Sequence, residues 1–142
     1  MASVGIFGLF MTVLFLEHAT TAPELSQGLM GRKSLEKDHG MLFHFPETNR
    51  YSLWSYGCYI PLSVAYLDEG GTITEIYELE AFPDKWEQEG EEATDFFLSH
   101  AVNPRLPAAY ALEMAGYWFQ QNGVKVGDQL RWEGRQAEIL AK

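Results

Sequence analysis

The sequence predicts a mainly β fold, a β-sandwich or jelly-roll-like barrel with two or three short helices. Three observations carry this. Apolar and β-branched residues fall in many short runs separated by Gly, Pro, Asn and Asp, the spacing of sandwiches and barrels. Nine Phe, seven Tyr and four Trp make the chain aromatic-rich, and such side chains suit pleated, half-buried surfaces. Helix signals are few and short. The 142 residues show no linker, repeat or low-complexity tract, so 1–142 reads as a single domain, large enough to bury a core without staples.

The first element is an apolar run within Ser3 to Leu16, which reads either as a strand or as an export signal. A secretory signal needs a basic front, and the first Lys or Arg is Arg32. The run also falls short of the roughly 20 apolar residues of a membrane span. Thr21-Ala22-Pro23-Glu24 then forms a Thr-x-x-Glu capping box with proline in the first turn. It predicts a helix through Leu25, Leu29 and Met30, ended by Gly31. Cleavage after Ala22 would delete the strand and half the box, so a retained strand and a cytoplasmic location are expected, with export the alternative.

Asp38-His39-Gly40 is a turn signal before the strand Met41 to Phe45, which Pro46 should end. A loop with Asn49 and Arg50 leads to Tyr51 to Trp54 and to a strand from Tyr59 to Leu67, with Ile60, Leu62, Val64 and Tyr66 on one face. Pro61 marks it as an edge or a strand start. Asp68 to Gly71 turns into Thr72 to Leu79, the clearest hairpin. Glu80 to Pro107 is a long excursion with one short helix near Ala93 to His100, of the kind that serves as a lid or a mobile loop. A strand at Tyr110 to Met114, a helix at Ala115 to Asn122 capped by Gly123, and segments Gln129 to Trp132 and Gln136 to Leu140 complete the order.

Composition excludes some partners. Twenty acidic against ten basic side chains give a net charge of −10, which repels phosphate backbones and anionic membrane surfaces. No nucleic acid and no membrane is therefore expected as a partner. The single cysteine, Cys58, cannot form an intramolecular disulfide.

Candidate chemistry is sparse, and each residue has a structural reading beside the functional one. Cys58 would be a nucleophile if His39 or His44 folded near it; a lone cysteine beside a strand is more often a small buried hydrophobe. His18, His39, His44 and His100 never take a spacing that puts two ligands on one strand or helix face, so no metal and no cofactor is expected. Glu17 and Glu113 are carboxylates within apolar strands, fit for acid or base work if burial raises their pKa. They could equally pair with Arg32 or Arg105, and for Glu113 a structural ion pair with Arg32 is the stronger reading. Trp54, Tyr56 and Tyr59 with Trp86 would make an aromatic platform for a planar ligand, or simply core.

Gly28-Leu29-Met30-x-Arg32, Gly40-Met41-Leu42-Phe43-x-Phe45-Pro46, Trp54 with Ile60-Pro61-Leu62, Leu112-Glu113-Met114-Ala115-Gly116 and Gly123 to Asp128 follow Ala19 in this order. The series, over about Val13 to Leu130, resembles a prokaryotic family, domain of unknown function 192. The resemblance implies a compact, mostly β fold and no established activity. It also implies a polar cluster, Trp-Met-Lys-Asn-Thr before Ile-Pro-Leu-Asp, where this chain has Trp54-Ser55-Tyr56-Gly57-Cys58 and Ile60-Pro61-Leu62-Ser63. Chemistry that used the lysine or aspartate is not available here. The expectation is a non-enzymatic binding or accessory protein for a small molecule or another protein, with a site near Trp54 drawn from Arg32, Trp54, Tyr56, Cys58 and Glu113. A small hydrolase-like enzyme using Glu113, Cys58 or a histidine is the alternative.

Overall fold

Along Met11–Ala19, Leu14 and Leu16 are fully buried while Met11, Val13 and Phe15 face solvent, the period-two pattern of a strand with one face on a core. The computed structural model describes residues 11–86 and 90–142, except the side chain of Trp86. Residues 3–10 of the apolar run, and 87–89 of the acidic run in the excursion, lie outside these. The order is β1 (Met11–Ala19), α1 (Ala22–Gln27), β2 (His39–Asn49), β3 (Leu62–Leu67), β4 (Ile73–Leu79), α2 (Pro83–Trp86), α3 (Glu91–Ser99), β5 (Ala108–Ala115), α4 (Trp118–Gln121), β6 (Gln129–Glu133) and β7 (Gln136–Leu140). The mainly β expectation holds, with four short helices among the described residues.

The seven strands make one sheet, ordered β4-β3-β5-β2-β1-β7-β6, in which β1 and β2 run parallel and the other pairs antiparallel. It curls into a half-barrel whose two edges meet. Thr72 bridges Gln129, and Leu130 N donates to Gly71 O at 2.9 Å. Gly71 has φ +85°, and a Cβ there would lie 2.6 Å from Leu130 O, so only glycine admits the closure.

One apolar cluster draws from all seven strands, including Leu14, Leu42, Leu67, Leu112, Leu130 and Ile139, and fills the curl. A second lies on the opposite face of β1 to β5, where Phe43, Val64, Tyr66 and Ala111 pack under Leu25, Leu29, Leu53 and Cys58. Both faces are covered where β2, β3 and β5 run. The candidate site belongs to the second cluster.

Several boundaries differ from expectation. The capping box forms, with Glu24 N donating to Thr21 Oγ1 at 3.3 Å and Thr21 N to Glu24 Oε1 at 3.0 Å, but α1 stops at Gln27. Gly28, at φ +49°, caps it, leaving Leu29 and Met30 in a turn. Pro46 does not end β2; it sits exposed where the pairing with β5 shifts register between His44 and Asn49, a place that needs no ladder N–H. β3 starts at Leu62, so Tyr59 and Ile60 precede it, and it lies between β4 and β5 rather than at an edge. Pro61 serves there as a strand start, its carbonyl accepting from Gly116 N at 3.0 Å. The last helix shrinks to Trp118–Gln121 because β5 continues through Ala115.

The excursion carries two helices and is fastened to the segment before β3. Leu53 bridges Val102, and Arg50 Nε donates to Pro104 O at 2.9 Å. β1 pairs with β2 on one side and β7 on the other, so its loss would split the sheet. Among the described residues no helix is long and apolar enough to cross a membrane.

Candidate functional site

Successive residues of β5 point to opposite faces, so Leu112 and Met114 enter the inner core and Glu113 stands on the other face. Register places Glu113 beside Met41 of β2 and Val64 of β3, with Glu17 of β1 on the far side of Met41. Two acids thus occupy one row of the sheet, and their environments diverge.

Glu17 has a dedicated cation. Arg32 Nη1 donates to Glu17 Oε2 at 2.8 Å and Nη2 to Oε1 at 2.7 Å, a bidentate pair. These hydrogen bonds hold the Glu17 carboxyl below its usual range, although partial burial opposes them. The structure therefore corrects the expected pairing of Arg32 with Glu113. At Glu17 the pair is more than a third exposed, room enough for a guanidinium, whereas Glu113 is only 4% exposed. Arg105 is also engaged elsewhere, 4.0 Å from Glu75.

The pocket over Glu113 is built from two loops. On one side stand the last turn of α1 and Gly28, Leu29 and Met30; on the other stands Ser52 to Cys58. Gly31 N donates to Gly57 O at 2.7 Å across them. Gly57 has φ +75°, and a Cβ there would meet Met30 Cγ at 2.1 Å, so this close approach requires glycine. Between the loops lies a cavity of about 220 Å³. Trp54 and Tyr56 stack at 5.2 Å and 29° to form one wall, backed by Phe97 of α3 in a T-shaped contact 5.2 Å from Tyr56. Phe43, Leu25, Leu29 and Leu53 supply the apolar remainder.

Four of the five candidate residues, Trp54, Tyr56, Cys58 and Glu113, line this cavity, and Arg32 does not. Among the described residues the lining holds no Lys, Arg or His side chain. Glu113 forms no hydrogen bond or ion pair among the described residues, and burial alone pushes its pKa up to about 8. Burial also pushes the Cys58 thiol up to about 12; it points at Tyr56 O at 3.8 Å. A thiol in that state is a neutral S–H at physiological pH and a poor nucleophile.

The histidines go elsewhere. His18 Nδ1 and His44 Nε2 lie 2.8 Å apart, a pairing that spacing along one element could not reveal because the two sit on neighbouring strands β1 and β2. Burial lowers the His44 pKa. His39 lies 3.5 Å from Glu36, and His100 packs on Phe96. Among the described residues no group of three or more His, Cys, Asp or Glu side chains could hold a metal ion. Of the expected platform, Tyr59 stays outside the pocket lining with Lys33 Nζ 5.4 Å from its ring, and the Trp86 side chain lies outside the described residues. Sequence reasoning missed the part of Leu25, Phe43 and Leu53; Gly28-Leu29-Met30 was visible only as a motif.

A wider concavity of about 540 Å³ lies over β1, β6 and β7. Of its charged groups, Arg131 and Glu138 pair at 3.6 Å and Glu133 is exposed to solvent, so none of them is a buried unpaired group like Glu113.

A curled seven-stranded half-barrel with one small side pocket over a buried acid defines the class of protein. The chain belongs to the family DUF192, described as an uncharacterized ACR, whose model matches residues 9–132. Two solved structures are similar. A "putative transcription regulator" from Sinorhizobium meliloti 1021 is 29% identical, with TM-score 0.67, over 85% of this chain and 90% of that one. A protein of unknown function from Novosphingobium aromaticivorans DSM 12444 is 25% identical, with TM-score 0.67, over 86% and 83% of the two chains. No curated protein matches.

Proposed function

We propose that this protein is a non-enzymatic binding or accessory protein whose ligand, a small molecule or a side chain of another protein, enters the pocket beside Trp54. The observation that carries the reading is a buried carboxyl without a partner among the described residues, at a cavity walled by stacked aromatic rings. A mostly apolar concavity with one convergent polar group is the usual form of a ligand site. At about 220 Å³ it falls below the roughly 300–1,000 Å³ of drug-sized ligand sites, so the occupant is small. The regulator description of the Sinorhizobium relative does not extend here to nucleic-acid contact, since a net charge of −10 repels phosphates. A cytoplasmic location goes with the proposal, supported by the place of β1 inside the sheet.

A second reading is a small hydrolase-like enzyme with Glu113 as acid or base. Its support is the pKa of about 8, near the range useful for proton transfer. It lacks a second group, since no histidine lines the pocket and Cys58 is neutral. A fragment screen read on the Trp54 indole resonance, with hits confirmed by calorimetry, tests the first reading. Trp54→Ala is expected to abolish the calorimetric binding signal while the variant stays folded; global unfolding of Trp54→Ala, or fragments that all bind elsewhere, would remove the reading. Turnover of ester or amide substrates, lost in Glu113→Gln, would establish the second.

A further inference from the structure

Three carboxylates are buried among the described residues, Glu75, Glu113 and Asp128. Glu75 accepts from Arg105 N at 2.9 Å, Leu106 N at 3.0 Å and Tyr77 Oη at 2.5 Å. Asp128 accepts from Lys125 N at 3.0 Å and Lys142 N at 3.2 Å. Glu113 accepts from no described residue. Leaving a buried polar group unpaired costs about 1–3 kcal/mol, and more for a charged one, so native proteins keep few of them. This one borders a cavity rather than solid core.

The rest of the cavity selects the sign of the missing partner. No cationic side chain lines it, so an anion would meet Glu113 without compensation. The rings of Trp54 and Tyr56 offer the negative faces that attract cations. Leu25, Ser26 and Gln27 line it from the last turn of α1, the end of a helix that carries partial negative charge. The chain's charge of −10 attracts cations to the protein.

We propose that the pocket binds an alkylammonium group, with Glu113 accepting its N–H bonds and the Trp54–Tyr56 wall lying along its apolar stem. This rests on the reading of the pocket as a binding site and names its ligand class. The ammonium completes the ion pair that Glu113 lacks, as Arg32 does for Glu17. The group comes either from a free amine or from a lysine side chain.

The titratable groups facing Glu113 are Tyr56 and Cys58 from the segment before β3 and Tyr66 on β3, while Glu17 beyond Met41 is neutralised by Arg32. Burial raises both Cys58 and Tyr66 well above Glu113. Pairing with an ammonium therefore ionises Glu113 and releases its proton.

The test titrates the protein with n-butylammonium, its neutral isostere 1-butanol, and pentanoate, reading the Trp54 indole resonance. Butylammonium affinity should rise nearly tenfold per pH unit below about 8 and level off above it. Glu113→Gln should lose at least about tenfold in amine affinity while 1-butanol, weaker in wild type, is unchanged. Nα-acetyl-lysine N-methylamide binding as tightly as butylammonium would assign the source to a lysine side chain; much weaker binding would assign it to a free amine. Equal affinity for amine and alcohol, or an amine affinity that Glu113→Gln leaves intact, would overturn the ligand class and leave the binding site standing. No shift with any probe would remove both.

Discussion

Glu17 and Glu113 stand in one row of the sheet on either side of Met41, yet only Glu17 meets a cation, Arg32 at 2.7 Å. The difference follows from what covers each. β1 lies beside β7, where the outer face is open enough for a guanidinium from the turn after α1. β5 lies under the two loops, which leave room for a small ligand and place no basic residue in the pocket lining. One acid is thus part of the scaffold and the other is held neutral and available.

Replacing Glu113 should stabilise the protein, in a pH-dependent way. The folded state raises this pKa from 4.5 to about 8, so across that window the folded protein binds the extra proton and stability falls as pH rises. Glu113→Gln should gain on the order of 3 kcal/mol at neutral pH, shrinking towards zero near 4.5. Urea unfolding of both proteins at several pH values measures it. A difference independent of pH would show that Glu113 ionises as freely folded as unfolded.

Cys58 should resist modification. It is 4% exposed, and burial pushes its thiol up to about 12, so the reactive thiolate is a minute fraction at neutral pH. Iodoacetamide should leave the native protein unlabelled under conditions that label it fully in denaturant. Fast native labelling would return Cys58 to the nucleophile reading.

Much of this arrangement was legible in the sequence. The Thr21–Glu24 capping box, the Asp68–Gly71 hairpin and the alternation of Ile60, Leu62, Val64 and Tyr66 are local signals, and each appears in the fold. Trp54, Tyr56, Cys58 and Glu113 were named for their chemistry and share one cavity. What could not be read was which acid receives Arg32, since that depends on the order β5-β2-β1 and on which face each loop covers. The His18–His44 contact was hidden for the same reason: 26 residues separate two strands that run parallel.

Arg32→Lys separates scaffold from site. A lysine cannot reproduce the bidentate contact, but the pair is more than a third exposed and solvent screening limits the loss to under about 1 kcal/mol. The lowered Glu17 pKa means that the pair stabilises the fold above the normal carboxylate range, and that this is lost as pH falls through the depressed value. Unfolding midpoints of the variant and wild type should therefore differ slightly at neutral pH and converge in acid. Ligand affinity should be unchanged, because Arg32 does not line the cavity; a loss would place Arg32 in the site.

The excursion between β4 and β5 enters the site through Phe97. Its ring is fully buried and packs T-shaped against Tyr56, which stacks on Trp54. Phe97→Ala should cost about 3–5 kcal/mol, and in the variant that remains folded at low temperature the aromatic wall loses its backing. Broadening or displacement of the Trp54 indole resonance, with the core methyls of Leu14 and Leu112 unmoved, is the expected signature. It would identify α3 as a buttress that sets the pocket's width. An unchanged Trp54 resonance would mean that the two loops hold the wall alone, through Gly31 N and Gly57 O at 2.7 Å.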